Sequence, residues 1–127
     1  MLYIVESART VEQVAKALEE IVPRHRFGIM AMHNLRDTMA KKGVTFEPDC
    51  RVFEVCNPHQ AKKVLEANLE ISTALPCRIS VYEEGGRTKL ATIKPTAMLA
   101  MYANTDLMGV AREVEETIVA IMDEAAK

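Results

Sequence analysis

The chain has 127 residues, a net charge of −2 from 16 basic and 18 acidic side chains, and 49% hydrophobic against 27% charged residues. A chain of this length and mix buries a core without disulfide or metal staples, and disorder is excluded. The near balance of charge gives no global pull toward nucleic acid or anionic lipid, and no apolar run reaches the roughly 20 residues that cross a bilayer.

Aromatics are scarce at 5%, so the core must be aliphatic, with eight Met filling irregular gaps. One domain, residues 1–127, is expected. The first residues carry no basic n-region, and an acid follows four apolar residues. The expected location is therefore the cytoplasm, where thiols stay reduced. Cys50, Cys56 and Cys77 are an odd number with no CxxC, which excludes a disulfide framework or zinc knuckle.

Residues 2–6 read as a first strand. Thr10 with Gln13 has the capping-box spacing and opens a helix. Val11, Val14, Ala15, Leu18, Ile21 and Val22 give that helix one apolar stripe, and Pro23 ends it. Residues 27–33 form a second strand. Phe27, Ile29, Ala31 and His33 are expected on one side, and Gly28, Met30 and Met32 on the other. Apolar residues on both faces predict a strand covered on both sides. Asn34 caps a short helix that ends near Lys42 and Gly43.

Residues 49–56 are the third strand, with Cys50, Val52, Glu54 and Cys56 on one face. Asn57-Pro58 starts a helix, since Asn caps well and Pro suits the first helical position. Ala61, Val64 and Leu65 form its inner side. Residues 78–83 and 87–93 are strands joined by Glu84-Gly85-Gly86, a hairpin signal. Pro95 begins a short apolar segment. Thr105 or Asp106 caps the last helix, whose stripe runs from Leu107 to Ala125 and is the longest periodic signal in the chain. The expected class is α+β: an antiparallel sheet of about five strands, two main helices on one face and short helices in the connections. A parallel crossover between residues 49 and 82 is the alternative.

Phe27-Gly28, Lys41-Lys42-Gly43-Val44, Cys56-Asn57-Pro58, Ala61 and Leu75-Pro76-Cys77 together resemble the bacterial and archaeal domain-of-unknown-function family 302. The resemblance covers most of the chain. It implies an α+β fold like that of TATA-box-binding-protein domains, a homodimer, and no established activity. Family members often accompany sulfur and redox proteins. Many also carry an acid just after the second strand, where this chain has His33-Asn34.

Five residues are candidates for a thiol or ligand site: Cys56, Cys77, His33, His59 and Asn57. Cys56 precedes a helix start, where the dipole and free N–H groups can lower a thiol pKa; His59 lies three residues on, within reach as a base. In an antiparallel meander Cys77 meets Cys56 at one sheet end, close enough for a redox pair; in a crossover it does not. His33 is a candidate metal ligand or proton carrier, but no histidine spacing signals a metal, and no motif names a cofactor. Met30, Met32, Met98, Met101 and Met108 could line a soft cavity, and the basic residues of 24–51 a rim for an anion. Each feature also has a bland reading as core or solvated surface. Three functions remain open: a dimeric binding or accessory domain with a small-molecule site, a thiol or sulfur-transfer protein using Cys56 and Cys77, and a structural interaction module. Nucleic acid and membrane are not expected partners.

Overall fold

The computed structural model describes residues 1–102 and 105–127. Five strands form one antiparallel sheet: β1 (Leu2–Ser7), β2 (Gly28–Asn34), β3 (Cys50–Cys56), β4 (Cys77–Glu84) and β5 (Arg87–Ile93), in spatial order β1-β5-β4-β3-β2. β3 runs antiparallel to β4, with Val55 opposite Cys77, so the crossover alternative falls. The 20-residue connection between these neighbours instead makes an excursion through a helix, α3 (Pro58–Ala67 when α1 is Val11–Arg24 and α2 is Leu35–Ala40), and a 3₁₀ turn, Leu69–Ala74. Two further helices follow the sheet: α4 (Pro95–Leu99) and α5 (Met108–Ala126).

α1 opens on a complete capping box: Gln13 N–H donates to Thr10 Oγ1, and Thr10 N–H to Gln13 Oε1. All six residues of its predicted stripe are buried. It runs one residue beyond Pro23, then His25 caps it and Arg26 turns the chain at φ 65°. α1 and α5 lie together on one face of the sheet. Their buried side chains meet Phe53, Val55, Ile79, Val81 and Leu90 in the main core. α5 begins later than the sequence suggests. Thr105–Leu107 is a 3₁₀ turn, Leu107 occupies the cap position without a side-chain bond, and the Thr105 side chain lies outside the described residues.

A second, smaller cluster joins Val64 of α3 and Ile71 of the 3₁₀ turn to Leu99, Leu107 and Ala111. No helix among the described residues is long and apolar enough to cross a membrane.

β2 corrects the expectation of a strand covered on both sides. It is a sheet edge, and Met30 is the extra residue of a bulge between Ile29 and Ala31. A bulge breaks the two-residue alternation. Ile29 therefore shares the helix-covered face with Val55, while Ala31 and His33, opposite Glu54 and Val52, share the open face. Met30 and Met32 are exposed. Among the described residues no helix covers the second face of the sheet. Leu2, Ile4, Ala91, Ile93 and Val52 lie across it, flanked by charges that pair within the chain: Arg87–Glu6 at 2.9 Å, Lys89–Glu84 at 2.8 Å and Arg78–Glu54 at 3.7 Å.

Candidate functional site

β3 ends at Cys56, and the next residue closes the helix start. Asn57 Oδ1 accepts from the N–H groups of His59 (3.0 Å) and Gln60 (3.3 Å), and the Asn57 carbonyl accepts from Ala61 N–H (2.9 Å). Pro58 takes the first helical position, where a missing N–H costs nothing. Gln60, Ala61 and Val64 then fall on the inward side at helical spacing. The 3₁₀ turn brings the chain back, and Leu75-Pro76, a cis peptide, leads into Cys77.

These elements enclose a small apolar cleft in two lobes of about 40 Å³ each. Val64, Leu75, Cys77 and Val114 line both lobes. The first lobe reaches toward Phe27, Val55, Cys56, Asn57 and Gln60. The second reaches toward Ile71, Pro95, Met98 and Leu99. Cys56, Asn57 and Cys77 are therefore brought together. His33 is not: it sits at the other end of β2, exposed on the open face, with Nε2 3.3 Å from Glu54 Oε1. His59 is exposed on the first turn of α3, and its backbone N–H is spent on the Asn57 cap.

The thiols do not carry the charge expected of them. Burial raises the Cys56 pKa. Burial also pushes Cys77 up to about 11, with nearby Cys56 adding to the rise and Arg78 opposing it. The predicted lowering of Cys56 by the helix start is overridden by burial, and the His59 and Gln60 amides there already donate to Asn57 Oδ1. Both cysteines are free.

The remaining sequence expectations divide. Met98 lines the cleft and Met108 packs on the second cluster, but Met30, Met32 and Met101 are exposed, so no methionine cavity forms from that set. Part of the basic rim is neutralised: Arg51 makes a two-pronged bond to buried Asp49 (3.0 and 3.1 Å) and reaches Glu12 at 2.7 Å, while Arg36 lies 3.7 Å from Asp49. Among the described residues no group of three His, Cys, Asp or Glu side chains is placed to hold a metal. Larger hollows of about 530 and 490 Å³ are open surface grooves beside Arg9, with Arg87 paired to Glu6 and Arg24 to Glu124.

Sequence reasoning missed Gln60. Its Nε2 donates to Glu113 Oε2 on α5 at 3.2 Å, and its Oε1 is buried with no hydrogen-bond partner among the described residues. The available signal was its spacing, four residues before Val64 on the same helix side.

The family model described as "Domain of unknown function DUF302" matches residues 3–125. Among solved structures, the crystal structure of an uncharacterized conserved protein DUF302 from Bacillus stearothermophilus superposes with a TM-score of 0.92 at 31% sequence identity. That alignment covers 98% of this chain and 97% of the other. None of the curated proteins matches the chain.

Proposed function

This chain belongs to the DUF302 family, and from that premise we propose that it is a homodimeric, cytoplasmic binding domain whose ligand enters the cleft between the sheet end, α3 and α5. The observation that carries the reading is the cleft itself: two adjoining apolar lobes that share Val64, Leu75, Cys77 and Val114. Apolar hollows of this kind stay dry and accept compact apolar guests. The test uses xenon. Crystals pressurised with the gas should show it in at least one lobe, displaced when Val64→Phe fills the shared wall. Density in neither lobe overturns the reading.

Support for the dimer comes from the open face of the sheet. It spans roughly 20 by 24 Å from strand spacing and rise, about 500 Å² in plan, which approaches the roughly 800 Å² per partner of a standard interface once side-chain relief is counted. Leu2, Ile4 and Ile93 are 54%, 48% and 45% exposed on it. Its acids and bases balance in pairs, so a second copy brings no net repulsion, and a polyanion finds no net attraction. Light scattering should report a dimer that Ile4→Lys with Val52→Lys converts to monomer. A wild-type monomer at high micromolar concentration overturns this part.

Thiol or sulfur chemistry is the second reading. What favours it is that both motif cysteines line one cleft. What opposes it is burial, which keeps both thiols protonated at neutral pH. Alkylation of Cys56 by iodoacetamide at pH 7, faster than that of free cysteine, would favour thiol chemistry over simple binding.

A further inference from the structure

We infer that the ligand of this cleft is a short aliphatic molecule, or the end of one, bearing a single neutral hydrogen-bond donor, and that Gln60 Oε1 receives that donor. The inference rests on the proposed binding function and adds the ligand's chemistry to it.

The amide of Gln60 has one orientation open to it. Nε2 faces the Glu113 carboxylate at 3.2 Å. Turning the amide would set its oxygen against a carboxylate oxygen, a repulsive contact in place of a charge-assisted bond. Glu113, exposed on α5, thus holds the donor end outward and commits the acceptor end to the interior. That acceptor is closed off from solvent and has no partner among the described residues. A buried carbonyl without a donor is costly, by an amount comparable to a lost hydrogen bond, and such groups in native folds call for an explanation. Here the unsatisfied group belongs to a residue that lines the apolar cleft.

The lining defines what can answer it. Phe27, Val55, Val64, Leu75 and Val114 ask for aliphatic surface. Among the described residues no cationic side chain lines either lobe, and Glu113 stands behind the amide, so an anionic head has nothing to pair with there. A cation would enter desolvated without a carboxylate inside the lobe, which burial strongly disfavours. A neutral alcohol, primary amide or thiol meets both demands. Lobes of about 40 Å³ limit the buried part to a few heavy atoms each. The wall can yield to admit it, since α3 and the 3₁₀ turn are anchored by Val64 and Ile71 as their buried side chains.

A matched pair of probes tests this: 1-propanol, which donates, and 1-chloropropane, similar in size, which does not. Binding is followed by methyl NMR of Val64, Leu75 and Val114 in the full chain. Gln60→Met should leave chloropropane binding within twofold and lower the propanol-to-chloropropane affinity ratio by roughly five- to tenfold, the worth of one buried hydrogen bond. Glu113→Ala changes only an exposed side chain; by freeing the amide to turn, it should lower the same ratio by a smaller factor, about two- to threefold. An unchanged ratio in both variants, with chloropropane still bound, overturns the role of Gln60 and leaves the cleft reading intact. Failure of both probes to bind the wild type overturns the two together. A water held on Gln60 Oε1 that propanol does not displace also overturns the inference.

Discussion

Two regions of this molecule bury apolar surface by different means. In the main core, α1 and α5 cover a sheet face, and their side chains interlock with three central strands. In the annex built from α3 and the 3₁₀ turn, Val64 and Ile71 pack with Leu99, Leu107 and Ala111 in a smaller cluster, and the cleft runs along the seam between the two regions. The main core draws on elements far apart in the chain; the annex is an excursion between adjacent strands. A region held by few buried side chains opens at lower free energy than one held by many. The difference teaches where a ligand can enter: at the seam, by movement of the annex, with the sheet left intact.

The largest expected effect breaks the main core. Phe53 is 1% exposed and central to it. Phe53→Ala should cost about 3–5 kcal/mol in denaturant unfolding and lower hydrogen-exchange protection in every strand. Ile71 is as deeply buried, but in the annex. Ile71→Ala should cost less, about 2–3 kcal/mol, because the annex can collapse around the loss. Its exchange rates should rise in residues 58–74 and stay unchanged in β4 and α1. Equal loss of protection in both regions would show one cooperative unit and end the distinction.

A smaller effect sharpens the comparison at Cys77, which belongs to the main core and also lines the cleft. Its pKa rises from an ordinary 9.0 to about 11, chiefly through burial. The folded state then holds the proton that the unfolded chain has lost, so between those two values the unfolded state binds fewer protons and stability falls as pH rises. The stabilisation is complete below pH 9 and gone above about 11, on the order of 3 kcal/mol in all. Cys77→Ala should flatten this part of the alkaline profile relative to wild type, the rest of the chain being common to both. Equal alkaline slopes would mean that the thiolate is solvated by an opened annex.

The two regions were also unequally legible. The main core follows from periodicity: six stripe residues of α1 and most of the α5 stripe stand where a 3.6-residue repeat puts them, because packing enforces that repeat. β2 misled because one bulged residue, Met30, shifts every later side chain to the opposite face, and edge strands tolerate such insertions. The Cys56–Cys77 juxtaposition was readable only conditionally, since antiparallel pairing decided it. The thiol charge was misread because burial is a three-dimensional fact, absent from the Cys-Asn-Pro string, although the Asn57 cap itself was legible there. Gln60 stayed hidden because its role depends on Glu113, fifty-three residues away.

The smallest expected effect lies at the annex's first turn and bears on which function the cleft serves. Asn57 Oδ1 satisfies two N–H groups at the start of α3. Asn57→Ala should cost about 1 kcal/mol, the usual worth of such a cap. It should also return the helix start to its electropositive state, beside the thiol of the preceding residue. Alkylation of Cys56 by iodoacetamide should then quicken roughly two- to fivefold, with its pH midpoint moving down. The Cys77 midpoint is the control, because a frayed helix would relieve the burial of both thiols and lower the two midpoints together, whereas loss of the cap alone lowers that of Cys56. A midpoint that does not move assigns the sluggishness of Cys56 to burial alone. The family's Cys-Asn-Pro junction would then be a capping device that shapes a binding cleft, and the thiol would be one of its apolar walls.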